Sequence, residues 1–196
     1  MQTPKKSHWD AALRVVKYIK QEPGLGILLS SNADDSLSCF CDADWAACPN
    51  TRRSVTGFFI KFGQSLISWK SKKQHTVSRS SAEAEYRSLA TATSEVVWLL
   101  GLFDELGVRV KKPVSVYCDS KAALQIAANP IFHERTKHIE IDCHFVRDKI
   151  KEGKIRTHHI GTKDQEADVL TKGLGRSQHA YLLHKLGMLN LLQHPA

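Results

Sequence analysis

From residue 37 to residue 70 three strand-like runs follow one another with no room for a helix between them. They lie at 37–45, at 55–62 ("VTGFFIKF") and at 65–70 ("SLISWK"). Gly63-Gln64 suits a hairpin turn between the last two, and the Pro49-Asn50 region links the first pair. Strands joined by such short links pair antiparallel, because a parallel return needs a long crossover. After residue 80 the period changes. Apolar residues, with Thr93 among them, recur at 82, 86, 89, 90, 93, 96, 97, 100 and 103, which makes one face of a long helix over 81–106 that Gly107 ends. "PVSVYC" at 113–118 reads as a strand running straight into a helix at 120–128, which Asn129-Pro130 breaks. "HIEIDCHFVRDKIKEG" reads as a helix stopped by Gly153, and "KIRTHHI" as a strand. "TKDQEADVLTKGLG" reads as one more helix, with Thr162-x-x-Gln165 as a capping box and Gly173 as its stop. Ahead of all this, 7–21 has helical spacing through Trp9, Leu13, Val16 and Ile19, and "ILLSSNADDS" is a short strand with a polar turn. An antiparallel trio followed by strands alternating with helices predicts an α/β fold, a mixed sheet with helices on its faces.

Carboxylates recur at the ends of these elements. Asp42 lies near the end of the first strand of the trio, Glu83 and Glu85 lie in the first turns of the long helix, Asp119 follows the strand at 113–118, and Asp168 lies in the last compact helix. Clustered acids repel one another unless a cation offsets them. Magnesium is the natural partner, being hard and oxygen-seeking, and two such ions about 4 Å apart serve phosphodiester hydrolysis. Each acid also has a plainer role. Asp119 suits a helix N-cap, Asp168 an exposed helix position, and Asp42 the start of a turn. Glu83 and Glu85 lie about 200° apart on a helix and cannot both face one site. Ser80-x-x-Glu83 forms a capping box, which leaves Glu85 for the cluster. Asp44 is either a nearby outer acid or a solvated turn residue.

The chain has 28 Lys and Arg against 20 acids, a net charge of +8, which favours a polyanionic partner. From Pro49 to Arg79 seven basic residues (Arg52, Arg53, Lys61, Lys70, Lys72, Lys73 and Arg79) occur without an acid. A basic surface beside a carboxylate cluster suits an enzyme that grips phosphates and cuts there, although a basic run is also an ordinary solvated face. The five cysteines include no CxxC pair, so neither a disulfide framework nor a zinc ribbon is expected. Zinc held by His133, His138 and His144 lacks a paired Cys. No apolar run approaches the roughly 20 residues of a membrane span. "MQTPKKSHWD" has no apolar core of a signal peptide, so an intracellular place, cytoplasmic or nuclear, is expected.

"CDADWA", "SSAEAEYRSLA", "YCDSKAAL" and "QEADVLTKGL", in that order and spacing, resemble the RNase H domain of copia-type retrotransposon Pol polyproteins. "RRSVTGFFIKFGQSLISWKSKKQ" and "RTKHIEIDCHFVRD" resemble the same family. The resemblance implies an RNase H-like α/β fold, a five-stranded mixed sheet of three antiparallel strands with parallel additions, flanked by helices. It implies three parts: 1–35 a remnant of the reverse transcriptase connection segment, 36–175 the RNase H-like domain, and 176–196 a C-terminal tail. It also implies hydrolysis of the RNA strand of RNA–DNA hybrids, leaving a 3′-hydroxyl and a 5′-phosphate. Asp42, Glu85, Asp119 and Asp168 would hold two Mg²⁺ ions, with Mn²⁺ able to substitute. Arg52, Arg53, Lys70, Lys72, Lys73, Ser80 and Ser81 are the expected nucleic-acid contacts, Ser80 and Ser81 lying where related enzymes hold a phosphate. The implied partners are the hybrid and the reverse transcriptase portion of the same polyprotein, with no membrane. His158 stands ten residues before Asp168, the separation of a mobile catalytic His in cellular relatives, but its strand setting argues against that role. His138 and His144 match the family, with a surface or core hydrogen bond as an equal alternative to chemistry.

Two other readings stay open. Integrases and transposases of similar fold place their Glu last, whereas here it comes second. A non-catalytic binding module or a decayed element would keep the fold without cutting. A polymerase is not supported, because "NADDS" lacks the context of a Tyr-x-Asp-Asp turn.

Overall fold

In the computed structural model, described for residues 3–32, 34–129 and 139–192, five strands form the central sheet in the order β4-β3-β2-β5-β6. They are β2 (Ser36–Asp44), β3 (Val55–Phe62), β4 (Ser65–Lys73), β5 (Lys111–Cys118) and β6 (Ile155–His159). The helices are α1 (Lys6–Gln21), α2 (Ser81–Glu105), α3 (Lys121–Ala128), α4 (Glu140–Lys151), α5 (Asp168–Thr171) and α6 (Arg176–Lys185). Two short strands, β1 (Leu25–Ile27) and β7 (Met188–Asn190), pair with each other and not with the sheet. The trio β2, β3 and β4 is antiparallel, and β5 and β6 add parallel to β2, as expected from the sequence.

Strand alternation divides the sheet into two faces. Cys39, Cys41, Phe58, Ile60, Val114, Val116 and Cys118 point to the larger core under α2, with Tyr86, Leu89 and Val96 of that helix wholly buried against them. On the opposite face Phe59, Leu66, Ala167 and Leu186 form a second, smaller core with Phe40 and Met188 packed on it. Burial of this kind contributes about 25 cal/mol per Å² of apolar surface, so both faces contribute to holding the sheet. Lys61, counted above in the basic run, lies inside the smaller core's border. Its ammonium sits 2.7 Å from the Glu166 carboxylate and donates to the Lys185 carbonyl at 2.8 Å. It is a buried structural cation and belongs to no surface patch.

One expected element is different. The stretch 162–175 is not a single capped helix. It is a 3-10 turn at Thr162–Asp164, an extended residue at Gln165, a turn at 166–167, and the single turn α5. Gln165, expected to cap a helix, is wholly buried, and its Nε2–H donates to the Cys41 carbonyl at 3.0 Å. A tertiary hydrogen bond has overridden the local capping pattern, and it leaves α5 to begin at Asp168.

Helix α5 lies against β3 at Gly57, the residue directly opposite Asp42. A Cβ at Gly57 would stand 2.6 Å from Thr171 Cγ2 and 2.9 Å from Leu170 Cβ. The missing side chain is what lets α5 approach the acid strand. Gly57→Ala is therefore expected to cost about 1–3 kcal/mol by overpacking. A urea unfolding midpoint equal to that of the parent chain would show that α5 does not depend on this contact.

Candidate active site

The acid end of β2 is gripped from both sides. Asp42 is wholly buried, and the Ser88 hydroxyl of α2 donates to its backbone carbonyl at 2.7 Å. The preceding carbonyl, of Cys41, takes the Gln165 bond described above. The position of Asp42 is thus fixed by the long helix on one face and by the link to α5 on the other.

The two glutamates of α2 separate as their angular spacing requires. Ser80 is the N-cap and accepts from the Glu83 amide at 3.2 Å. One oxygen of Glu83 accepts from the Arg79 amide at 2.7 Å, and the other accepts from Arg87 at 2.9 Å. Glu83 therefore serves the helix start, and Glu85 turns toward the acids. Asp119 follows β5 directly. It does not cap α3, because Ser120 does so by accepting from the Ala123 amide at 3.2 Å. Freed from that role, Asp119 accepts the Thr162 hydroxyl at 3.1 Å. Asp168 is buried at the start of α5 and is not the exposed helix acid of the plainer alternative.

The side chains gather in two trios that share one member. Oxygens of Asp42, Asp119 and Asp168 lie within 4.8 Å of one another, and so do the ligand atoms of Glu85, Cys118 and Asp119. Asp44, at the last position of β2, falls outside both trios. Cys118, read from sequence as a buried strand thiol, is buried and also neighbours Glu85 at 4.0 Å. Burial, reinforced by the charge of Asp42, pushes the Glu85 carboxyl up to about 10. Burial likewise pushes Asp168 up to about 6, against the opposing hydrogen bond from Lys172.

Lys172 and Thr171 are the two site residues that sequence reasoning missed. The Lys172 ammonium stands 3.0 Å from Asp42 Oδ1 and 2.7 Å from Asp168 Oδ1, and the Thr171 hydroxyl donates to Asp42 Oδ2. Asp168 and Lys172 are four residues apart, so the i,i+4 charge pairing was the available signal. Burial works against the Lys172 charge, yet the Asp168 hydrogen bond and the Asp42 charge outweigh it and hold its pKa above the ordinary value.

The expected basic contacts do not form one patch. Arg52, Arg53, Lys70, Lys72 and Lys73 are all exposed. Register pairs Ser71 with Gly57 and Gly57 with Asp42, so alternation puts Lys73 on the acid face and Lys70 and Lys72 on the α2 face. Lys73 also donates to Cys48 Sγ at 3.0 Å. Ser81 is exposed beside the capping Ser80. His158 lies within β6 with its ring 5.4 Å from that of Tyr117, and His144 is on the surface of α4, 3.8 Å from Glu140. His133 and His138 lie outside the described residues.

No family model matches the chain. It is 42% identical over 191 residues to the retrovirus-related Pol polyprotein from transposon RE2 of Arabidopsis thaliana, covering 97% of this chain and 13% of that protein. Against the corresponding polyprotein from transposon TNT 1-94 of Nicotiana tabacum the identity is 34%, over 96% of this chain and 14% of that protein. The chain thus spans only a small part of these relatives' length. Among solved structures it is similar to the LC11 RNase H1 isolated from compost, with a TM-score of 0.53 and 18% identity, over 70% of this chain and 93% of that one. The same enzyme in complex with an RNA/DNA hybrid gives a TM-score of 0.51 at 18% identity, over 69% of this chain and 94% of that one. The fold is RNase H-like.

The electrostatics of Glu85 have a measurable sign. Its folded pKa of about 10 stands above the ordinary 4.5, so over that interval the native state binds more protons than the unfolded chain. Stability contributed this way is complete at low pH and is lost as pH rises through the interval. Asp168 acts in the same sense between 3.8 and about 6. In EDTA, the Tm of the parent chain should fall between roughly pH 5 and pH 9, and Glu85→Gln should flatten that fall. Each kcal/mol relieved corresponds to about 2–4 °C in a chain of this size. Parallel Tm profiles for the two proteins would mean that Glu85 is ionised in the metal-free fold.

Proposed function

As this chain belongs to the copia-type retrotransposon Pol polyproteins, we propose that it is their ribonuclease H, hydrolysing the RNA strand of RNA–DNA hybrids. One observation carries the reading: three acids from three separate elements bring their oxygens within 4.8 Å of each other in a mostly buried site. Such a cluster is unfavourable in the absence of positive charge.

The residues present fit a hard divalent cation. All three members of the first trio are carboxylates, and a cationic group, the Lys172 ammonium, already lies between two of them. Asp42, Asp119 and Asp168 would hold Mg²⁺, and Glu85 with Asp119 would hold its neighbour, with Mn²⁺ as a substitute. When bound, the ions would supply a water of lowered pKa and charge neutralisation at the leaving oxygen. The chain's own residues do the rest. Ser88 and Gln165 hold the acid strand in place, Gly57 admits α5, and Thr162 orients the Asp119 carboxylate. Hydrolysis adds water across the phosphodiester: the P–O3′ bond breaks, a 5′-phosphate forms, and the 3′-oxygen takes a proton.

We propose that Lys73 on the acid face, Arg52 and Arg53 in the loop before β3, and Ser81 at the start of α2 meet phosphates of the hybrid. Selectivity for RNA would come from 2′-hydroxyl contacts across the wide minor groove of the hybrid. We further propose that the segment 1–35 packs on the reverse transcriptase portion of the same polyprotein. Its helix α1 buries none of its residues here and leaves Trp9, Val16, Tyr18 and Ile19 more than half exposed.

A labelled RNA–DNA hybrid should be cut in Mg²⁺ and not in EDTA, with duplex DNA left intact. Asp42→Asn and Asp119→Asn should each lower the rate by on the order of 10³-fold or more while hybrid affinity changes little. Full activity in either variant rejects the assignment, and hybrid binding without cleavage by the parent chain would favour a non-catalytic module. Lys73→Glu should weaken hybrid binding and reduce the slope of log affinity against log salt by about 1, whereas Lys72→Glu, on the α2 face, should change it little. An unchanged slope in Lys73→Glu would place the phosphate contacts elsewhere.

A further inference from the structure

The acid site already contains a cation of its own. Lys172 Nζ is 2.7 Å from Asp168 Oδ1 and 3.0 Å from Asp42 Oδ1, and Thr171 takes the second Asp42 oxygen. Both oxygens of Asp42, and one of Asp168, are therefore engaged by the residue pair that ends α5. A divalent ion held by Asp42 and Asp168 would need those same oxygens. We propose that Lys172 is a resident counter-ion that metal must displace: it stabilises the acids when metal is absent and competes with metal for them.

The inference rests on the metal-holding role of the acids proposed above, and three features support it. The Lys172 backbone is fixed, because its amide donates to the Asp168 carbonyl at 2.9 Å, so only the side chain need move. That side chain is 32% exposed, while the acids it touches are 0% and 5% exposed, so its route outward is open. A lysine stem has four flexible carbons and a single point charge, which a divalent ion can outbid for a pair of carboxylates. An ammonium held between two buried carboxylates also keeps them from repelling each other before metal arrives. The site is thereby assembled in the metal-free protein, and its affinity for metal is reduced by the cost of moving the lysine.

The experiment uses the full chain stripped with EDTA and titrated with Mn²⁺ by calorimetry. Lys172→Met should bind Mn²⁺ roughly tenfold more tightly than the parent and should have a lower metal-free Tm that recovers at saturating Mn²⁺. Lys121→Met, which removes one exposed charge two residues after Asp119, should change affinity by less than about twofold, separating direct competition from general charge. Equal affinity in the parent and Lys172→Met overturns the counter-ion role and leaves the metal reading standing. An absence of Mn²⁺ binding in both proteins overturns the metal reading itself, and this inference with it. A second measurement covers a variant that fails to fold. In the parent chain, the ¹⁵N side-chain signal of Lys172, assigned by its loss in Lys172→Arg, should be protected in EDTA and should shift or broaden as Mg²⁺ is added. A signal that persists unchanged at Mg²⁺ saturation overturns the proposal.

Discussion

A carboxylate with no exposed surface, Asp42, sets the terms for the rest of the molecule. Burying a lone charge costs several kcal/mol or more, so the surrounding chain must supply positive charge and hydrogen bonds at that point. It does so with Lys172 and Thr171, both at the end of α5. For α5 to reach that far, β3 must offer no side chain opposite Asp42, and Gly57 stands there. For β2 to hold still here, the carbonyls of Cys41 and Asp42 must be tied, and Gln165 and Ser88 tie them. The large apolar core holds α2 on one face of the sheet, and the buried charge sets how α5 meets the other.

Much of this architecture was legible in the sequence, and the reasons are local. The trio of strands was visible through its short links, and α2 through its apolar face, because period and turn chemistry act within a few residues. The division of labour between Glu83 and Glu85 followed from helix geometry alone. What escaped was tertiary. Gln165 has the spacing of a helix cap, yet its amide is spent on a strand carbonyl far away in sequence. Lys61 looked like one more surface lysine, but it pairs with Glu166 beneath the sheet. The strand expected at 65–70 runs on to Lys73, and only that extension lets alternation separate Lys73 from Lys70 and Lys72. Lys172 lies one helical turn after Asp168, a pairing open to inspection, but its second partner, Asp42, is 130 positions away.

The same contrast explains the outer parts of the chain. Leu183, Leu186 and Met188 close the second face of the sheet, and β7 then pairs with β1, so residues from both flanks meet. Such a contact has no local signature, because neither three-residue strand would be stable without its partner. Helix α1 shows the opposite case. Its apolar spacing was plain in the sequence, and the structure leaves that face uncovered, which means amphipathic patterning alone does not identify what a helix packs against.

Among the described residues, the shortest α-helix, α5, carries Asp168 and leads directly into Lys172. A four-residue turn has almost no intrinsic stability, since helix nucleation is unfavourable at that length. What holds α5 is external: the gap at Gly57, the Ser71 hydroxyl donated to the Leu170 carbonyl at 2.8 Å, and the bonds from Thr171 and Lys172 to Asp42. The acids are therefore not mounted on a rigid element that would exist without them. Asp42 helps to fold the turn that brings Asp168 to it, and Lys172 makes that mutual arrangement electrostatically tolerable. Removing positive charge from the cluster would loosen the turn as well as unmask the acids, so local folding and cation occupancy are one coupled equilibrium at this end of the sheet.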